Sequence, residues 1–156
     1  MGLFTNANGT YLGDKSFDPI FSALNARNAS AFVHPASPDC TSVAGGWPIP
    51  MTEYPFDTVR ALESMLLTGR RAQYPDIKMI FTHGGGAIPY LATRIAGMAS
   101  LPWLGGLSVP ESLAQLAGYY FDTAASTSAI QLTALKSFVG ADQIVTGTDC
   151  KFALLV

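Results

Sequence analysis

The two histidines of the chain and two of its aspartates stand where predicted β-strands end. His34 closes SAFVH and His83 closes IKMIFTH, while Asp122 lies near the end of YYFD and Asp149 follows QIVTGT. The carboxyl ends of parallel strands form the functional face of α/β proteins. Imidazole and carboxylate groups together suit a divalent metal such as zinc. We therefore expect His34, His83 and Asp149 in a functional site, and for Asp122 we favour a structural hydrogen bond or a helix N-cap.

The His83-Gly84-Gly85-Gly86 sequence admits more than one interpretation. The same pattern after a strand builds the oxyanion hole of α/β-hydrolase esterases, but that fold also needs a Gly-x-Ser-x-Gly elbow. The nearest candidate here, 106–110, ends in proline, which disfavours an esterase. The glycines could instead let the backbone approach a ligand closely, or only shape a turn with nothing bound.

The elements that must position these residues alternate between strands and helices. Short apolar strands are predicted at Met1–Thr5, Ser30–His34, Ile77–Thr82, Tyr119–Thr123 and Gln143–Thr146. Between them, apolar residues at helical spacing predict helices at Ser16–Asn28 (with Ser16 as N-cap), Phe56–Tyr74, Ala87–Ala99, Pro110–Ala117 and Ser128–Val139. A long loop, Pro35–Pro55, lies between the second strand and the second helix, and loops of this length are more often functional than not.

This βα alternation indicates an α/β fold with parallel strands. Strands that are apolar without alternation are buried on both faces, as in a parallel sheet covered by helices. A doubly wound sheet and part of a TIM barrel both fit this pattern. No Gly-x-Gly-x-x-Gly follows the first strand, so a dinucleotide-binding fold has no support from a motif.

The composition excludes several classes of protein. Charged residues make up only 13% of the 156 residues and hydrophobic residues 49%, against about 25% charged in a typical soluble domain, which excludes disorder and a charged coiled coil. The net charge of −2 gives no nucleic-acid surface. No signal peptide and no apolar run of membrane-spanning length occurs, so we expect a cytoplasmic protein with free thiols at Cys40 and Cys150. The low charge predicts that apolar surface meets a partner or that part of the domain is missing.

Four further segments follow one another along the chain: FVHP (32–35), E-x-P-F-D-T-x-R (53–60), YFDTA (120–124) and GTD (147–149). Together with the His-Gly-Gly-Gly segment, they resemble the second half of amidohydrolase-related metal-dependent decarboxylases. The branch is that of aminocarboxymuconate-semialdehyde decarboxylase, and the opening GLFTN, with G-x-YLGD-x-x-F-x-P-I-F, is most similar to the fungal 6-methylsalicylate decarboxylase group. The His-Gly-Gly-Gly sequence with Pro89 and Arg94 downstream favours this branch over the hydrolases of the same superfamily.

The resemblance implies a partial TIM (β/α)8 barrel comprising about the last five βα units. By this resemblance His34 is a metal ligand, His83 is catalytic, and Asp149 binds metal and can deliver a proton. Arg94 matches an arginine that, in some relatives, reaches across a dimer interface to the carboxylate of the substrate. The implied metal is zinc or manganese, and the implied substrate is an aromatic carboxylic acid such as 6-methylsalicylate.

Two parts of the family pattern are absent from the sequence. The family begins with a His-x-His pair of metal ligands, and this chain has no third or fourth histidine; the usual continuation after GTD is also replaced. We therefore expect residues 1–156 to be one amidohydrolase-related domain truncated at both ends, with weakly held metal and impaired activity. The alternatives are an inactive fragment or pseudoenzyme, which could be an interaction partner of a full-length relative, and a metal-dependent hydrolase of the same superfamily.

Overall fold

A five-stranded parallel sheet organises the chain. The computed structural model describes residues 1–149. The strands of this sheet are β1 (Gly2–Phe4), β4 (Ser30–His34), β5 (Lys78–Phe81), β6 (Tyr120–Asp122) and β7 (Ile144–Val145), adjacent in that order and all parallel. A small antiparallel hairpin, β2 (Asn6–Ala7) and β3 (Thr10–Tyr11), follows β1. The predicted α/β fold with parallel strands is therefore confirmed.

Within residues 1–149, six α-helices connect the strands, and their ends follow from local sequence. Ser108 accepts a hydrogen bond from the Glu111 N–H at the start of one helix, and Ser128 forms a capping box with Gln131 at the start of another. Both arrangements satisfy backbone donors that would otherwise lack partners. The helices are α1 (Asp18–Asn25), α2 (Ile49–Leu67), α3 (Arg70–Gln73), α4 (Ile88–Ala99), α5 (Val109–Ala117) and α6 (Ala129–Val139). Within residues 1–149 no helix combines the length and apolar character needed to cross a bilayer.

The core lies between the helices and one face of the sheet. Val33 and Phe81 are completely buried on that face and belong to the same core cluster as Leu62 of α2. On the opposite face, Phe4 is 64% exposed and Phe32 is 44% exposed. The prediction that the strands are buried on both faces is therefore wrong for β1 and β4. The physical reason is that the five described strands do not close into a barrel, so their second face remains open.

Two predicted helix boundaries are wrong, for reasons of proline and capping chemistry. Helix α2 begins at Ile49 and contains Pro55, so the loop predicted at Pro35–Pro55 is shorter. Pro55 lies in the second turn, where its missing N–H removes one hydrogen bond, and its carbonyl accepts the Ala87 N–H at 3.5 Å. Ser16 is not the N-cap of α1, because a 3₁₀ turn capped by Asp14 precedes that helix.

Candidate active site

One cavity at the carboxyl ends of the strands brings together His34, His83 and Asp149. The cavity has a volume of about 630 Å³, and all three side chains line it, together with Asp122 and Thr82. His34 is the last residue of β4, His83 lies two residues beyond β5, and Asp149 follows β7. Because neighbouring parallel strands end at the same edge, residues far apart in sequence become neighbours in space.

His34 is held by the carbonyl group of the next residue. Its Nδ1 lies 2.7 Å from the Pro35 carbonyl oxygen. Because a carbonyl only accepts, Nδ1 must carry the proton, and in the neutral ring Nε2 then keeps its lone pair. The His34 ring packs edge-on against the His83 ring, with 5.3 Å between centroids, and against Tyr54 at 5.7 Å. The ring is therefore fixed on several sides.

His83 adopts a left-handed backbone conformation that Asp122 supports. Its φ is +57°, which is uncommon for any residue with a side chain and is often found at functional sites. The buried Asp122 carboxylate accepts the His83 N–H at 2.8 Å and the Ala124 N–H at 3.0 Å through the same oxygen. The interpretation of Asp122 as a structural hydrogen-bonding residue is therefore confirmed.

The glycines after His83 are required by contacts within the protein itself. A Cβ on Gly85 would lie 2.6 Å from the Phe121 ring, and one on Gly86 would lie 2.2 Å from the Pro55 carbonyl oxygen. Both residues also have positive φ. The turn therefore needs glycine to bring the start of α4 close to α2 and β6, without reference to any ligand.

The electrostatic environment of His83 favours its neutral form. Burial lowers the pKa of His83 below its usual value, and the nearby His34 lowers it further, while Asp122 and Asp149 act in the opposite direction. The Nε2 of His83 lies 3.6 Å from an Asp149 carboxylate oxygen. A neutral imidazole beside a carboxylate can accept, hold or pass on a proton.

The segment that carries Asp149 is held by the end of β6. The Thr123 hydroxyl donates to the Gly147 carbonyl at 3.1 Å and accepts the Gly147 N–H at 3.2 Å. A Cβ on Gly147 would lie 2.8 Å from the Asp122 carboxylate carbon. Asp122 and Thr123 therefore position the residues on both sides of the His83–Asp149 contact. Sequence reasoning missed Thr123; its place directly after a strand-end aspartate was the available signal.

Arg94 does not join this cavity. It is exposed on α4 and is absent from the cavity lining. Its implied role, contact with a substrate carboxylate across a dimer interface, stays a prediction.

The donor atoms at the site fit a divalent metal by type, although not by number. His34 offers an imidazole nitrogen and Asp149 carboxylate oxygens, which zinc and manganese accept. Within residues 1–149 there is no cluster of three or more histidine, cysteine, aspartate or glutamate side chains placed to hold a metal ion. The described residues thus offer two donors of suitable chemistry and do not make a complete coordination shell.

Comparison with known proteins gives consistent matches. The family model described as amidohydrolase matches residues 2–154. Over 141 residues the chain is 40% identical to the 6-methylsalicylic acid decarboxylase of Penicillium expansum, covering 89% of this chain and 44% of that one. The chain therefore spans about half the length of the curated relatives it matches.

Solved structures match the fold over a similar share of their length. A crystal structure of amidohydrolase II superposes with a TM-score of 0.87 at 26% identity, covering 96% of this chain and 48% of that chain. The 5-carboxyvanillate decarboxylase of Novosphingobium aromaticivorans, solved with manganese and 4-hydroxy-3-methoxy-5-nitrobenzoic acid, gives 0.82 at 20% identity, covering 96% and 46%. The five-stranded sheet thus corresponds to about half of a TIM barrel, as predicted.

Proposed function

Because the chain belongs to the amidohydrolase family over residues 2–154, we propose that its cavity is part of the active site of a metal-dependent, non-oxidative decarboxylase. The observation that carries this proposal is the convergence of His34, His83 and Asp149 on one cavity. A 40% identical relative is named a 6-methylsalicylic acid decarboxylase. We therefore propose an aromatic carboxylic acid of this kind, with 6-methylsalicylate as the first candidate, as the substrate.

The proposed metal ligands are His34 and Asp149. A divalent ion there would supply Lewis-acid chemistry, which orients a carboxylate and a neighbouring oxygen. Only these two residues are proposed as ligands, because the described residues contain no cluster of three or more donors placed to hold a metal ion. Because only two ligands are proposed, we expect the 156-residue chain by itself to bind divalent metal weakly.

The proposed role of His83 and Asp149 is to deliver a proton. In decarboxylation the ring carbon that bears the carboxylate gains a proton, its bond to the carboxyl carbon breaks, and carbon dioxide leaves while the electron pair stays with the ring. The acid is Asp149, or a water molecule held beside His83, whose Nε2 lies 3.6 Å from that carboxylate. No organic cofactor is required, because the aromatic ring itself accepts the electrons.

Substrate recognition by Arg94 belongs to the same proposal. Its planar guanidinium group suits a carboxylate, and its exposure on α4 leaves it available to a second subunit. We propose that a dimer brings this residue to the site of the partner. The binding of 6-methylsalicylate would then depend on Arg94 only in the dimer.

A second candidate is an inactive chain that docks on a full-length relative. The observation that favours it is the small number of metal donors in residues 1–149. It predicts a stable fold without turnover in the presence of any divalent metal.

The test is an assay of the purified chain with carboxyl-¹³C-labelled 6-methylsalicylate, with added manganese or zinc. We expect slow, metal-dependent release of ¹³CO₂ with formation of 3-methylphenol, lost in Asp149→Asn and retained in Asp142→Asn. Asp142 is the matched control because it is an exposed aspartate outside the cavity. If the wild-type chain releases no more ¹³CO₂ than Asp149→Asn under any condition, the decarboxylase proposal is refuted and the second candidate is favoured.

A further inference from the structure

Asp57 is a buried carboxylate that the proposed chemistry leaves without a role. It belongs to the 53–60 segment, which carried part of the family resemblance, and its side chain is completely buried in α2. It accepts hydrogen bonds from the Thr5 hydroxyl, from the Asn6 side-chain amide at 2.9 Å and from the Tyr11 hydroxyl at 2.6 Å. Three donors, one from the residue that follows β1 and two from the hairpin after it, therefore converge on one acceptor.

The surroundings of Asp57 fix the direction of these hydrogen bonds. A buried carboxylate is tolerated only with such partners, and when ionised it can only accept. Burial and the adjacent Asp57 raise the pKa of Tyr11 to about 12, so the phenol keeps its proton at physiological pH and remains a donor. The Thr5 hydroxyl likewise directs its proton to Asp57, and the lone pairs of its oxygen stay free to accept.

The Thr5 hydroxyl oxygen also acts as an acceptor, and this contact holds the turn after His34. It accepts the Ala36 N–H at 2.8 Å, while the Thr5 backbone N–H donates to the His34 carbonyl at 3.0 Å. The Ala36 N–H and the Pro35 carbonyl belong to one planar peptide unit, so fixing one fixes the direction of the other. That same Pro35 carbonyl accepts the proton of His34 Nδ1 at 2.7 Å.

We propose that Asp57 is a positioning residue that acts on His34 through Thr5 and the Pro35–Ala36 peptide. This chain of contacts holds the His34 ring in the tautomer with the proton on Nδ1. The unprotonated Nε2 then keeps its lone pair for a ligand in the cavity, such as a metal ion. Groups behind a ligand histidine commonly set its tautomer and orientation. The importance of His34 rests on the proposed function, whereas the contact chain itself does not.

Thr5 and Tyr11 separate this proposal from a purely structural role of Asp57. Both residues donate a hydroxyl proton to the Asp57 carboxylate, but only Thr5 continues to the Ala36 N–H. If Asp57 merely fastens the hairpin to α2, loss of either hydroxyl has the same kind of effect. If Asp57 positions His34, only the loss of the Thr5 hydroxyl reaches the imidazole.

The experiment is a long-range ¹H–¹⁵N correlation spectrum of the full chain with ¹⁵N-labelled histidine. The chain has only two histidines, so the His83→Gln variant assigns both. In the wild-type chain we expect His34 to show a protonated Nδ1 and an unprotonated Nε2. In Thr5→Val we expect the two nitrogen shifts of His34 to move toward each other, while Thr5→Ser restores the wild-type pattern and Tyr11→Phe retains it.

Several results would overturn the proposal. A wild-type His34 with the proton on Nε2 contradicts it without any variant, so the test holds even if Thr5→Val does not fold. If Thr5→Val folds and leaves the ¹⁵N shifts of the His34 ring unchanged, or if Tyr11→Phe moves these shifts as much as Thr5→Val does, Asp57 only stabilises the packing of the hairpin against α2. The spectrum needs neither metal nor substrate, so its outcome is distinguishable from failure of the decarboxylase proposal.

Discussion

The two histidines of the cavity are held in place in opposite ways. His34 ends β4 in regular extended pairing, and its support comes from Thr5 and Asp57, which are 52 positions apart. His83 lies in a left-handed conformation; Asp122 accepts its backbone N–H, and the glycine turn that follows it directly carries the steric constraint. The first arrangement places few demands on local sequence, whereas the second excludes almost every residue but glycine at Gly85 and Gly86.

This difference explains which part of the site the sequence reveals. A local steric demand leaves a local motif, so His-Gly-Gly-Gly is visible in the sequence. A hydrogen-bond relay between distant segments leaves no motif of its own, so the support of His34 is visible only in the structure.

The largest effect is expected from Gly86→Ala, on the His83 side. The new Cβ would meet the Pro55 backbone at a position with φ of +63°, and left-handed strain together with overpacking should lower the free energy of unfolding by about 2–5 kcal/mol. Urea denaturation measures this loss. Gly46→Ala is the control, because Gly46 also has positive φ but has no atom within 4 Å of the Cβ position. An equal loss in both variants would show that close packing at Gly86 is unimportant.

A somewhat smaller effect is expected from Asp122→Ala. The substitution leaves the His83 and Ala124 N–H groups without their acceptor, which should cost about 2–4 kcal/mol of stability. Asp122→Asn keeps an oxygen acceptor and should lose less. Thermal or urea unfolding of the three proteins checks the order wild type, Asn, Ala. If the two variants are equally stable, His83 does not depend on this acceptor.

An intermediate effect is expected when the histidines themselves are compared. If His34 is a metal ligand and His83 is not, His34→Ala should weaken manganese binding about tenfold, which corresponds to about 1.4 kcal/mol. His83→Ala should change the affinity by much less, although both substitutions remove one imidazole from the same cavity. Calorimetric or electron paramagnetic resonance titration of manganese measures both. A larger loss of manganese affinity in His83→Ala than in His34→Ala would make His83 the metal ligand in place of His34.

The smallest effect is expected from Arg94→Ala. Exposed helix positions away from buried networks contribute within about 0.5 kcal/mol, and Arg94 lies outside the cavity on α4. The urea midpoint of the variant should therefore match that of the wild type. A large loss of stability would show that Arg94 has a structural role in its own chain.

Much of the fold follows from the sequence because it depends on local pattern. Apolar runs such as SAFVH and IKMIFTH are sufficient to predict parallel strands, and the histidine that closes each run lies at the carboxyl edge of the sheet. The start of α2 at Ile49 was missed because Pro55 indicates a break, whereas the helix continues through Pro55 with one backbone hydrogen bond fewer. The exposure of Phe32 was missed because an apolar run carries no information about whether a barrel closes.

The site is predicted less completely than the fold. Strand ends identified His34, His83 and Asp149, and the structure places them around one cavity. The contributions of Thr5 and Asp57 depend on how the hairpin packs against α2, which no periodicity encodes. The role of Arg94 rests on the resemblance alone. Arg94 is exposed on α4, and the predicted contact involves a second subunit, so the fold of a single chain does not test it.

The paramagnetism of manganese tests directly whether His34, His83 and Asp149 form one site. Substoichiometric Mn²⁺ added to the ¹⁵N-histidine-labelled chain should broaden the ring signals of both His34 and His83, whose centroids lie 5.3 Å apart. We expect this broadening to disappear in Asp149→Asn but not in Asp142→Asn. Broadening that spares either ring, or that is unchanged in Asp149→Asn, would contradict a single site built from His34, His83 and Asp149.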